Sequence, residues 1–140
     1  MNPGATGERT PHAGQSQRTM VLLVEDDFLL RTMSIETLGD FGYDVVDAAN
    51  ADEALALLAE RPEIGLLMTD IRLPGVGGVE LAVRATRNRP DLRVLFASGY
   101  EAKSIAGLDT LTVPTAFIAK PYKPEQLETV LRDLLVQTAS

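Results

Sequence analysis

Three carboxylates follow one another at Glu25, Asp26 and Asp27, a fourth stands at Asp70, a hydroxyl at Ser98 and an ammonium at Lys120. Each group ends a short aliphatic run: 20–24 before Glu25, 64–68 before Asp70, 92–97 before Ser98 and 116–119 before Lys120. Singly, each has an ordinary reading. An acid after a strand often caps the next helix, and Asp27 is placed to do so for a helix at Phe28. A loop serine is usually solvated, and a lysine before proline is usually a surface charge. Four polar ends in a row are another matter. In an open parallel sheet, ligands bind beyond the carboxyl ends of the strands.

Carboxylates held close together repel, and one of them takes up a proton unless a counter-charge is supplied. A hard divalent cation supplies it. Mg²⁺ prefers oxygen ligands, keeps several waters and commonly joins carboxylates to phosphate oxygens. A phosphoryl group brings three acceptor oxygens and about two negative charges. Mg²⁺ would take one oxygen, Lys120 another and the Ser98 hydroxyl a third. Phosphoryl transfer needs positioning and charge neutralisation above all, and a carboxylate nucleophile suits such a site.

The elements that must position these groups alternate along the chain. Met20–Val24 is a short continuous apolar run, as in a strand buried on both faces. Leu30, Met33, Leu38 and Phe41 recur at helical spacing, and Gly39 and Gly42 punctuate the end of that helix. Residues 43–46 read as a second strand. Asn50 is a good N-cap with Glu53 three residues on, opening a helix that turns Ala54, Leu57 and Leu58 inward. Residues 64–68 form a third strand, and Leu73-Pro74-Gly75 a turn. Val79, Ala82 and Val83 mark a further helix that stops near Pro90. Residues 92–97 and 116–119 are the fourth and fifth strands. Pro124 sits at the first position of a last helix, with Leu127, Val130, Leu131, Leu134 and Leu135 on one stripe. The weak stretch is 99–115, where a helix is due but Gly99, Gly107 and Pro114 interrupt it. Strands alternating with helices predict an α/β domain with a parallel sheet covered on both faces and right-handed crossovers.

Composition narrows the choices. The 140 residues suit one domain. Residues 1–18 are rich in Gly, Pro, Ser, Thr and Gln and are predicted to be a disordered tail, leaving a domain over 19–138. The one histidine, His12, lies in that tail. Without cysteine there is no disulfide, thiolate catalysis or cysteine-bound zinc. The net charge of −7 argues against nucleic acid. The densest basic cluster, Arg84, Arg87, Arg89 and Arg93, reads as the solvated end of a helix and its loop. No apolar run is long enough to span a bilayer and there is no signal-peptide core, so a cytoplasmic protein without membrane contact is expected.

Four motifs then stand in order: Val-Leu-Leu-Val-Glu-Asp-Asp at 21–27, Met-Thr-Asp-Ile-Arg-Leu-Pro-Gly-Val-Gly-Gly at 68–78, Phe-Ala-Ser-Gly-Tyr at 96–100 and Phe-Ile-Ala-Lys-Pro at 117–121. Together they resemble the response-regulator receiver domain of two-component signalling, over about 19–136. The resemblance implies a flavodoxin-like (βα)5 fold, a doubly wound parallel sheet of strand order 2-1-3-4-5. It implies that Asp70 accepts a phosphoryl group from a histidine kinase or histidine phosphotransfer protein, switching the binding of an output protein. Glu25 and Asp26 would hold Mg²⁺ with Asp70 and the backbone carbonyl of Arg72. Lys120 would pair with the phosphate, and Ser98 and Phe117 would be the switch residues. Apart from the resemblance, Tyr100, two residues past Ser98, is placed to screen the phosphate from water and set its lifetime. A homodimer would form through the fourth helix, fifth strand and fifth helix. The Lys120–Pro121 bond would be cis.

The sequence departs from that pattern in places. Glu25 replaces the commoner Asp, which leaves open which of Glu25, Asp26 and Asp27 bind metal. Gly77 replaces an acid. Phe-Ala-Ser-Gly-Tyr followed by a poor helix resembles a stand-alone subgroup with a Phe-Ala-Thr-Gly motif. Other readings are the terminal receiver of a hybrid histidine kinase, a constitutive interaction module, and an enzyme of the haloacid-dehalogenase type. The last would want an acid two residues past its nucleophile, where Arg72 stands.

Overall fold

A computed structural model describes residues 19–99 and 107–136, apart from the side chain of Asp109. The expected tail, and Tyr100, lie outside the described residues. Five strands, β1 (Met20–Val24), β2 (Asp44–Ala48), β3 (Ile64–Asp70), β4 (Arg93–Ser98) and β5 (Thr115–Ala119), form one parallel sheet in the order β2-β1-β3-β4-β5. Four α-helices are described: α1 (Phe28–Asp40), α2 (Ala51–Glu60), α3 (Gly78–Asn88) and α4 (Pro124–Leu135). This is the doubly wound flavodoxin-like arrangement that the sequence predicts. The strand limits move by one or two residues from the apolar runs: β2 begins at Asp44 rather than 43, and β4 ends on Ser98 itself.

The side-chain alternation of each strand feeds two cores. Leu22, Val24, Leu67 and Phe96 pack with Ala54 and Leu58 of α2 and Val79 and Ala82 of α3. Val21, Leu23, Met68, Leu95 and Ile118 pack with Leu38 of α1 and Leu127, Leu131 and Leu134 of α4. Both faces are thus covered, and the three central strands stay apolar on both sides as buried parallel strands do.

Local signals set the helix ends. The Asp27 carboxylate accepts from the Leu30 N–H at 3.0 Å and caps α1. The Asn50 side chain accepts from the Glu53 N–H at 2.9 Å, while Glu53 reaches back to the Ala49 N–H at 2.9 Å, one residue further than a standard capping box. Pro124 opens α4, and the Gln126 side chain accepts from the Lys123 N–H. Gly42 ends the α1 turn at φ +94, where a Cβ would be strained.

One expectation needs correction. Leu30 and Met33 do not face the sheet. They are exposed with Phe28 and Leu29, and Leu38 is the one fully buried residue of α1. Apolar residues surround this helix, so spacing alone did not name the inward stripe. In the weak stretch, residues 107–114 hold a 3₁₀ turn at Leu108–Thr110 and no α-helix, while 100–106 lie outside the described residues.

Candidate functional site

Strand register brings the polar ends together. Val24 is level with Thr69, Asp70 with Ala97, and Ser98 with Ala119. Glu25, Asp70, Ser98 and Lys120 therefore leave four neighbouring strands at nearly one height. Lys120 crosses this edge: its Nζ donates to Asp70 Oδ2 at 2.9 Å and to Glu25 Oε1 at 3.1 Å. Burial pulls the Lys120 pKa down, but the hydrogen bonds and charges of Asp70 and Glu25 outweigh it and raise it above the ordinary lysine value.

Glu25 is buried, and its other oxygen accepts from the Asp27 N–H at 3.2 Å. One carboxylate oxygen each from Glu25, Asp26 and Asp70 lies within 4.8 Å of the others. That all-oxygen donor set suits a small hard cation. Among the four acids of the sequence reading, Asp27 stands apart, since its carboxylate is engaged at the α1 N-terminus. Asp70 Oδ1 accepts from the Arg72 N–H at 3.2 Å, and the Arg72 side chain is exposed. The Thr69 hydroxyl donates to the Asp70 carbonyl at 2.9 Å. The Ser98 side chain is buried on β4, and the Ser98 carbonyl accepts from the Lys120 N–H at 2.9 Å. The Lys120–Pro121 bond is cis.

Some features were not legible in the sequence. A Cβ on Gly78 would run into the Asp70 carbonyl oxygen, so only glycine lets α3 start this close to the site. Phe117 is half exposed and stacks on buried Phe96, its register partner, with ring centroids 5.5 Å apart. Arg31 of α1 donates to the Glu25 carbonyl at 2.7 Å. Beside the site, Leu30, Met33, Thr37, Tyr122 and Pro124 line an apolar groove of about 440 Å³ that reaches Glu25 and Lys120. The Ser34 and Tyr122 hydroxyls, 3.0 Å apart, tie its walls together. The basic cluster is also not what it looked like. Arg89 is mostly buried and donates to the carbonyls of Pro62 and Ile64, at the opposite edge of the sheet.

A five-stranded doubly wound parallel sheet with acids and a lysine at its carboxyl edge defines a flavodoxin-like α/β domain with a polar site beyond its strand ends. The response regulator receiver domain model matches residues 21–132, and the chain belongs to that family, the receiver domains of two-component signalling. It is 33% identical over 116 residues to the response regulator receiver protein CpdR of Brucella abortus, covering 83% of this chain and 96% of that protein. It is 31% identical over 116 residues to the sensor kinase CckA of the same organism, but covers 12% of that longer protein. It spans about half of two transcriptional regulatory proteins of Pseudomonas aeruginosa, 48% of AruR and 52% of PhoB. Among solved structures, the chemotaxis protein CheY4 of Vibrio cholerae matches with a TM-score of 0.77 at 25% identity, covering 84% of this chain and 98% of that one. The receiver domain of the hybrid histidine kinase CckA matches with a TM-score of 0.70 at 31% identity, covering 83% and 98%. No helix among the described residues is long and apolar enough to cross a membrane.

Proposed function

We propose that the chain is a cytoplasmic phosphorylation switch in which Asp70 takes a phosphoryl group from a phosphohistidine of a histidine kinase or histidine phosphotransfer protein. The observation that carries this reading is the placing of Lys120 Nζ within hydrogen-bond reach of Asp70, beside two more carboxylates. Glu25, Asp26, Asp70 and the Arg72 carbonyl would hold one Mg²⁺, which when bound neutralises the acids and the phosphoryl oxygens.

An Asp70 oxygen forms the new P–O bond as the donor's P–N bond breaks. Lys120 is already positioned on Asp70 and remains beside the phosphoryl oxygens, leaving Glu25 free for the cation. Ser98 supplies a hydroxyl on the neighbouring strand, and its turn toward the phosphate alters the β4 and β5 ends on which Phe117 sits. That change in surface selects the output protein, or a second copy through β5 and α4. The donor approaches over α1, because the apolar groove there opens onto Glu25 and Lys120.

Beryllofluoride with Mg²⁺, followed by NMR, tests this reading. Shifts confined at first to Glu25, Asp26, Asp70, Ser98 and Lys120 and spreading to Phe117 are expected. A spectrum unchanged by beryllofluoride would leave the chain as a constitutive interaction module.

A further inference from the structure

One basic side chain lies against the acid cluster without belonging to its chemistry. Arg31, in the first turn of α1, has a side chain only 15% exposed. Its Nη1 donates to the Glu25 carbonyl at 2.7 Å. Its Nε donates to Asp47 Oδ2, near the end of β2, at 3.1 Å. The Phe28 ring lies 5.6 Å from the guanidinium carbon. The Glu25 carbonyl belongs to the peptide unit that joins Glu25 to Asp26. A bond to it therefore fixes the plane from which both acids spring. The Glu25 N–H is held on the other side by the Ala48 carbonyl at 3.1 Å.

A planar guanidinium holds two acceptors in a rigid fork, whereas the donors of an ammonium rotate. Left alone, the segment after β1 would carry three adjacent carboxylates that repel one another. We propose that Arg31 is a positioning residue of the cation site, fixing the Glu25–Asp26 peptide by bracing it against Asp47. The inference rests on the reading that Glu25 and Asp26 hold Mg²⁺.

Charge and position make opposite demands here, which gives the test its sign. A positive group beside a cation site repels the cation, so neutralising Arg31 would tighten Mg²⁺ binding if charge were its whole effect. If Arg31 orients the ligands, the same change weakens binding, as loss of an outer partner does by about 10- to 100-fold in metal affinity. The full chain is titrated with MgCl₂ and followed by NMR, for the wild type, Arg31→Gln and Arg31→Lys, with thermal midpoints measured without metal. Arg31→Gln is expected to raise the Mg²⁺ dissociation constant by about 10-fold or more. Arg31→Lys keeps the repelling charge but not the fork, and is expected to bind Mg²⁺ no more tightly than Arg31→Gln. It also decides the matter if Arg31→Gln does not fold. A wild type that binds Mg²⁺ with an Arg31→Lys chain that binds equally well overturns the inference alone, as does an Arg31→Gln chain that binds more tightly. A wild type that binds no Mg²⁺ overturns the functional reading and this inference with it.

Discussion

The two edges of the sheet each carry a largely buried cation, and they use it differently. At the amino ends of the strands, Arg89 donates to the carbonyls of Pro62 and Ile64 and pairs with Asp91 at 3.4 Å. Its partners are mostly backbone carbonyls. At the carboxyl ends, Lys120 donates to Asp70 and Glu25, with Asp26 beside them. There the acids outnumber the cation. A cluster with surplus like charge is costly to fold and is retained for what binds to it, whereas a cation matched to backbone acceptors secures architecture. The difference predicts that substitutions at the two edges trade function against stability in opposite senses.

The largest expected effect is at the carboxyl edge. Asp26→Asn should weaken Mg²⁺ binding by more than the roughly 10- to 100-fold that loss of an outer partner costs. Without metal it should melt no lower than wild type, because one of the repelling charges is gone. A metal titration and a melting curve check both halves, and a lower midpoint with unchanged metal affinity would erase the contrast.

The opposite edge should behave in reverse. Arg89→Met keeps the stem and drops the guanidinium, leaving the carbonyl of buried Ile64 without this donor. A loss of about 1–3 kcal/mol is expected in denaturant unfolding, with phosphoryl uptake from acetyl phosphate unaltered. Gly78→Ala should do both kinds of harm. Its Cβ meets the Asp70 carbonyl, so a cost of about 1–3 kcal/mol from overpacking should accompany slower phosphorylation.

Asp27→Ala sharpens the contrast within one loop. It removes the α1 cap at about 1 kcal/mol and should leave Mg²⁺ affinity within about twofold, since Asp27 lies outside the cluster. A loss equal to that of Asp26→Asn would mean the ligands were assigned one residue out of register.

The smallest effect is at high pH. The folded-state pKa of Lys120 is raised, so its stabilising contribution is fully present below the ordinary value of 10.5 and is lost as pH rises through the folded value. Tyr43 is also raised, by burial first and the Glu128 charge second, and loses stability in the same direction above 10.0. Unfolding curves in a Tyr43→Phe background isolate the lysine. A Lys120→Met chain in that background should show a flatter alkaline limb.

What the sequence made legible was local or punctuated. The Asp27 and Asn50 caps, Pro124 and the continuous run of β1 each carry their own signal. So do the strand-end acids, because a parallel sheet gathers carboxyl ends by topology. What stayed hidden depended on register or on a choice among equivalent faces. α1 is apolar on several sides, so Met33 and Leu30 read as core although Met33 is 54% exposed and Leu30 lines the groove. Arg89 reads as part of a solvated basic cluster and Arg31 carries no signal, because the backbone carbonyls they also bond leave no mark in a sequence. Gly78 and the Phe96–Phe117 stack need the third dimension outright.

Mapping of the phosphoryl group tests the central claim most directly. The full chain is incubated with acetyl phosphate and Mg²⁺, and intact mass and peptide mass are measured beside an Asp70→Ala chain and a chelator control. One phosphoryl group on the peptide that contains Asp70, absent from Asp70→Ala and from the chelated sample, is the predicted result. A phosphoryl group on another residue, equal uptake by Asp70→Ala, or a wild type that takes up none would contradict it.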